Sequence, residues 1–312
     1  MFIAHDHRVA RRGRPTAIAI GNFDGLHRAH RALLGNALAA ARAFQGDAVA
    51  LTFEPHPTRV LAPERASPLL VGLDRKLELL ATTGIDAAVV QRFDLSFASQ
   101  SPEEFVERVV LGLRAREVFV GHDFHFGRNR EGTAARLKAL GVQLGYTAHI
   151  LEAVTDDGVP ISSSGVRRAL AAGDLPLAGR LLGRPFDLDG LVVRGFQRGR
   201  TLGFPTANLV TPTEALPADG VYAVRVRILD LVGDATHPGV MNLGVRPTLH
   251  AGRALEVHLL DWQGDLYGRT LRVEFVTRLR DERRFDGLDA LKTQITLDAE
   301  AARAALSADA TP

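Results

Sequence analysis

Apolar and polar positions change rhythm part-way along the chain. In the first half, short apolar runs at 17–20, 48–53, 87–90, 118–120 and 147–151 alternate with stretches of helical spacing at 32–44, 74–81 and 102–113. Runs of three to six apolar residues between polar or glycine-rich segments read as buried strands. Their alternation with helices predicts an open, doubly wound parallel α/β sheet. Such sheets bind ligands at the carboxyl ends of their strands. GNFDG (21–25), TFEPHP (52–57) and GHDFHFGRNREG (121–132) each follow a predicted strand, so three sequence-distant loops are expected to meet at one edge. Helices follow at 164–172, stopped by Gly173, and at 175–182, stopped by Gly183 with Pro185 beyond. From Leu188 to Val276 the segments become short, β-rich and turn-separated: LVVRG, TANLV, VYAVRVRIL, GVMNLG, ALEVHLL and LRVEFV. That spacing predicts a small antiparallel β-barrel, closed by a helix at 288–306. Two domains are expected, 1–184 and 185–312, with no internal repeat.

At 312 residues the chain can bury two separate cores. It has no cysteine, which excludes disulfides. No apolar run approaches the roughly 18 residues that a spanning helix needs. The opening MFIAHDHRVARRGRP breaks its apolar start with His5, Asp6 and His7, so a cytoplasmic protein with no membrane partner is expected. The sequence pI is 9.3, yet 38 basic residues face 36 acidic ones and the net charge is +2. Arginine keeps the pI high, because Lys76, Lys138 and Lys292 are the only lysines. Without a basic block or a basic and aromatic stripe, nucleic acid is not an expected partner. No GxxxxGK occurs, so any kinase activity is not of the P-loop type.

Candidate chemistry concentrates in a few strings. In GNFDGLHRAH (21–30), Gly21 and Gly25 let the backbone approach a ligand, and a helix start offers unpaired N–H groups and a positive dipole end to an anion. His27 and His30 share one helical face and can donate hydrogen bonds to phosphoryl oxygens as charge builds on them. An isolated HxxH pair is more often packed or solvated; the strand, glycine turn and helix start favour phosphate chemistry. Zinc fits less well, since HExxH and cysteine are both lacking. ISSSGVRRAL (161–170) sets Ser162, Ser163 and Ser164 before a helix with Arg167 a turn later. Alone it is a good N-cap; beside the first motif it is a second polyphosphate element. In GRTLGFPTANL (199–209), Gly199 and Gly203 suit a loop close to phosphates, while Thr206 and Asn208, two apart on a predicted strand, offer magnesium a hydroxyl and an amide oxygen. A turn leading into an edge strand would equally account for Pro205 and the glycines. In LEVHLLDW, Leu255, Val257 and Leu259 face one way and Glu256 and His258 the other, so Glu256 leaves the barrel core; most such glutamates are simply solvated.

The first domain resembles the FAD synthetase branch of the HxGH nucleotidyltransferases, through GNFDGLHRAH, TFEPHP, VGHDFHFG and ISSS. The second is similar to riboflavin kinases through GRTLGFPTANL, GVYAVRV, GVMNLGVRPT, LEVHLLDW, DLYG and LRDERRFDGLDALKTQI, in that order. Together they cover nearly the whole chain. They imply a bacterial bifunctional enzyme that converts riboflavin and ATP to FMN and ADP in the second domain, then FMN and ATP to FAD and pyrophosphate in the first, both with Mg2+. In the adenylyltransferase the resemblance implies catalytic His27 and His30. It also implies ATP contacts at Gly21, Phe23, Asp24, Asp123, Ser162, Ser163, Ser164 and Arg167, and flavin contacts at Phe53, Pro55 and His56. In the kinase it implies ATP at Gly199, Gly203, Pro205, Thr206 and Asn208, the metal at Thr206 and Asn208, Glu256 as base, and Arg280 beside the flavin. Three positions depart from the pattern: Ala29 stands where HxGH has glycine, Ser164 where ISST has threonine, and Arg194 where histidine is usual. The alternative is a single surviving activity, with the other domain a flavin-binding or regulatory module; the intact GRTLGFPTAN and ISSSGVR argue against it. The sequence is silent on oligomeric state.

Overall fold

The structure, a computed structural model, describes residues 1–8, 13–195, 203–231, 233, 235–245 and 253–308. The chain forms two compact units: Met1–Pro68 with Gly72–Ser163, and Leu69–Val71 with Ser164–Pro312.

The first unit is built on six parallel strands: β1 (Phe2–Ala4), β2 (Thr16–Ile20), β3 (Asp47–Glu54), β4 (Ala87–Arg92), β5 (Ala115–Gly121) and β6 (Thr147–Leu151), in the order β1-β4-β3-β2-β5-β6. Every residue of β2 is buried, and so are the first seven of β3. A parallel sheet covered on both faces requires such continuous apolar runs. Helix α1 (Arg28–Ala43) follows β2 and buries Leu33, Leu34, Ala37 and Ala41. Helix α2 (Leu73–Ala81) follows the loop after β3, and α3 (Ala134–Leu144) precedes β6. Two local features differ from the sequence expectation. Strand β1 was not expected: three residues carry too little periodicity, and its pairing with β4 (Phe2↔Ala87) is a tertiary event. The helix expected at 102–113 is instead an α turn, Pro102–Phe105, continued by a five-residue π turn, Val106–Val110. The wider turn puts Val106, Val109 and Val110 all in the core, and the Leu111 N–H donates to the Val106 carbonyl at 2.9 Å.

The second unit begins with α4 (Ser163–Ala171), apart from its first residue, and α5 (Leu175–Leu182). It continues as a closed antiparallel barrel of β7 (Asp187–Val193), β8 (Ala207–Val210), β9 (Gly220–Ile228), β10 (Thr236–Val245), β11 (Arg253–Leu259) and β12 (Thr270–Arg280), in the order β7-β8-β11-β10-β9-β12. Alternation fills the barrel: Val224, Val226, Met241, Leu243, Val257, Leu271 and Val273 are fully buried. Helix α6 (Leu288–Ala308) lays Ala299, Ala302 and Leu306 against Ala223 and Leu260.

Candidate active sites

In the first unit β3, β2 and β5 are neighbours, so their carboxyl ends lie side by side and the three expected loops leave one edge of the sheet. The chain leaves β2 through a tight loop in which Phe23 (φ 50°) and Leu26 (φ 42°) are left-handed, as is Gly25 (φ 80°). Phe23, Asp24 and Leu26 are buried, and that packing holds a conformation unfavourable for side chains with a Cβ. His27 is the N-cap of α1 rather than part of it, and its Nδ1 accepts the His30 backbone N–H at 3.3 Å. With Nδ1 accepting, the neutral tautomer of His27 carries its proton on Nε2. The two imidazoles stack at 3.6 Å with 16° between planes, and Phe23 meets His30 edge-on at 5.3 Å. His30 Nδ1 is sealed from solvent and has no hydrogen-bond partner among the described residues. Burial, reinforced by His27 and Lys76, holds His30 well below the ordinary histidine value, so it is neutral at pH 7. Ala29 is half-buried at the second position of α1.

Two of the other motifs expected in the adenylyltransferase are hydrogen-bonded to this loop. Ser163 Oγ donates to the Asp24 carbonyl at 2.9 Å, joining the serine segment to GNFDG, and Thr52 Oγ1 donates to the Asn22 carbonyl at 3.1 Å. Ser162 is half-buried, Ser164 exposed and Arg167 half-buried. Asp123 is exposed, with a carboxylate oxygen folded over Gly121, where a Cβ would meet it at 3.2 Å. His56 caps the short helix Pro57–Leu61 by accepting the Thr58 N–H at 3.3 Å, and Pro55 is exposed. Phe53 belongs to a row of aromatic rings that single-motif reading missed. Phe53 meets Phe93 at 5.8 Å and Phe97 at 6.0 Å; Phe97 meets Phe105, which meets Phe126, which stacks on Phe124 at 5.5 Å. The signal was present in the sequence as phenylalanines at or just past the ends of β3, β4 and β5. Lys76 on α2 is 3% exposed, and Glu54 and Asp24 act electrostatically on its ammonium.

In the second unit, Asn208 on β8 stands beside Glu256 on β11, and Glu256 beside Asn242 on β10. The three polar residues form a row across adjacent strands. Glu256 is half-buried while Leu255, Val257 and Leu259 are buried, the alternation expected from LEVHLLDW. The Asn208 amide is buried against Gly195, where a Cβ would lie 2.3 Å from its nitrogen. Thr206 is half-buried and lies just before β8 rather than on it. Gly203 adopts φ 87°; Pro205 is exposed and its carbonyl accepts from His258 Nδ1 at 2.8 Å. Gly199 lies outside the described residues. A cavity of about 550 Å³ adjoins Thr206 and is lined by Val192, Leu259, Trp262 and Tyr267 among others. Arg194 stands over the Tyr267 ring at 5.7 Å. Arg280, at the end of β12, is held by a two-pronged ion pair with buried Asp298 at 2.7 and 2.9 Å, and its guanidinium faces Phe285 at 5.7 Å. Among the described residues no group of three or more His, Asp or Glu is placed to hold a metal.

A parallel sheet with paired histidines at a helix start, followed by a closed barrel with a polar strand row, defines a two-domain nucleotide-handling transferase. Residues 10–165 match the FAD synthetase family and residues 182–306 the riboflavin kinase family. The bifunctional riboflavin kinase/FMN adenylyltransferase of Pseudomonas fluorescens is 43% identical over 96% of this chain and 95% of its own length. That of Bacillus subtilis is 34% identical over 97% and 96%. The chain belongs to the bifunctional riboflavin kinase/FMN adenylyltransferase family. A crystal structure from Streptococcus pneumoniae described as a macrolide-efflux protein shares its architecture, with TM-score 0.84, 31% identity, and coverage of 97% of this chain and 98% of that one. Among the described residues of this chain, no helix is long and apolar enough to cross a membrane.

Proposed function

We propose that this chain makes FAD from riboflavin in two ATP-dependent steps, one in each domain. The observation that carries the reading is the match of both domains, in order and over nearly the whole chain, to the two families. We place the functional boundary near Arg184 and the enzyme in the cytoplasm, acting on small molecules without a nucleic-acid partner.

In the kinase step, the terminal ribityl hydroxyl of riboflavin attacks the γ-phosphorus of ATP. Glu256 accepts the hydroxyl proton, the new P–O bond gives FMN, and the bond to the β-bridging oxygen breaks to release ADP. The cavity beside Thr206 suits a nucleoside, with Trp262 and Tyr267 supplying aromatic surface. Thr206 and Asn208 present neutral oxygens only, a donor set that suits Mg2+ when phosphate and water fill its remaining positions. Bound there, the ion would neutralise charge on the triphosphate. Gly199, Gly203 and Pro205 would line the phosphates, and Arg280 would act near the flavin through the segment it holds to Asp298.

In the adenylyl step, a phosphate oxygen of FMN attacks the α-phosphorus of ATP and pyrophosphate leaves, so no proton need be taken from the nucleophile. The two imidazoles at the start of α1 offer N–H groups to the phosphoryl oxygens as their charge grows. Gly21, Phe23, Asp24, Asp123, Ser162, Ser163, Ser164 and Arg167 would bind ATP. The aromatic row around Phe53, with Pro55 and His56, would receive the flat flavin. Incubation of the pure protein with riboflavin, ATP and Mg2+, followed by chromatography with fluorescence detection, is expected to yield FMN first and then FAD. Accumulation of FMN alone, with supplied FMN left unconverted, would contradict the reading.

A further inference from the structure

Lys76 has no task in the chemistry just described, yet its charged side chain is buried. It closes the first turn of α2, on a helix whose Leu77, Leu79 and Leu80 are buried, and it is itself only 3% exposed. Its ammonium makes no hydrogen bond or ion pair with any described residue. Keeping a charged group on a side chain this buried carries a desolvation cost that an apolar side chain of the same length would avoid. Burial pulls the ammonium below the ordinary lysine value, whereas Glu54 and Asp24 pull it back towards the charged form. The groups that act on it are therefore Glu54 at the end of β3, Asp24 in the loop between β2 and α1, and His30, whose neutrality its charge reinforces. All three belong to the edge of the sheet where the histidine pair stands. The two carboxylates favour the cation at that same edge.

We propose that Lys76 is a substrate-binding residue of adenylyl transfer whose ammonium pairs with an anionic phosphoryl oxygen. The proposal rests on the FAD-forming reading of the first domain. A compact point charge with three donors suits a phosphate, and a phosphate oxygen would supply the partner that the folded chain does not. That oxygen belongs either to ATP or to the phosphate monoester of FMN, and separate measurements distinguish the two.

The test uses the full chain with Lys76→Met, which keeps length and apolar volume while removing the charge, and Lys76→Arg, which keeps the charge. FAD formation is followed with ATP and FMN varied in turn, riboflavin phosphorylation serves as an internal control, and thermal unfolding is recorded. Lys76→Met is expected to lower kcat/KM for FAD formation by about tenfold or more, with KM raised for the substrate that carries the paired oxygen. Kinase activity should be unchanged and the unfolding midpoint close to that of the parent. Lys76→Arg should retain more FAD formation than Lys76→Met. FAD formation by Lys76→Met within about twofold of the parent overturns the proposal, as does loss of FAD formation, kinase activity and thermal stability together, which marks a structural lysine. If the parent itself forms no FAD from FMN, the functional reading fails instead. Lys76 is then judged by calorimetric binding of ATP and of FMN, and the proposal falls if Lys76→Met weakens neither.

Discussion

His30 is stacked on His27, edged by Phe23 and closed around its Nδ1, and its burial, reinforced by His27 and Lys76, favours the uncharged ring. Its folded-state pKa lies below its unfolded value of about 6.5, so the unfolded chain takes up a proton that the folded chain refuses. The resulting stability is complete above pH 6.5 and is lost as the pH falls below it. Thermal unfolding of the parent is therefore expected to drop more between about pH 7.5 and about 5.5 than that of His30→Gln, which cannot titrate there. Equal drops would show that His30 carries a proton in the folded state. The histidine pair and Glu256 were legible in the sequence because their spacing on a helix start and a strand fixes which way they can face. Lys76 was not, since its burial depends on how α2 turns against the sheet. Nor was the Arg280–Asp298 pair, whose partners stand 18 residues apart on a strand and the last helix.

At the scale of elements, strand order brings separate motifs side by side. The alternating pattern predicted a parallel sheet, and the adjacency of β3, β2 and β5 puts the three loops at one edge as expected. In the barrel, the pairing of β8, β11 and β10 aligns Asn208, Glu256 and Asn242, a row that depends on register and was invisible in any single motif. Gly195 belongs to the same arrangement, because its bare backbone makes room for the Asn208 amide. Gly195→Ala places a methyl where that amide lies and should displace it. The expected result is a rise of about tenfold or more in the kinase KM for ATP, by analogy with the loss of a positioned polar contact, with FAD formation from supplied FMN unchanged. Unaltered kinase kinetics would mean that the Asn208 amide is not needed where it lies. The π turn after Phe105 and the edge strand β1 escaped sequence reading because both are settled by packing against distant strands rather than by local propensity.

For the whole molecule, the central claim is that one chain holds two independent chemistries in sequence, phosphorylation on the barrel and adenylylation on the parallel sheet. Two variants separate them. His30→Ala removes a donor at the phosphoryl centre, a loss of the kind that typically costs about a hundredfold to a thousandfold. It should convert riboflavin to FMN and stop there. Glu256→Gln keeps shape but cannot accept a proton at neutral pH, so it should leave riboflavin unchanged while still turning supplied FMN into FAD. The most direct measurement is the FAD yield from riboflavin, ATP and Mg2+ with each variant alone and with the two mixed. The mixture is predicted to restore FAD formation that neither variant supports alone, since each supplies the step the other lacks. A mixture as inactive as its components, with both variants folded, would contradict the assignment of the two chemistries to separate domains.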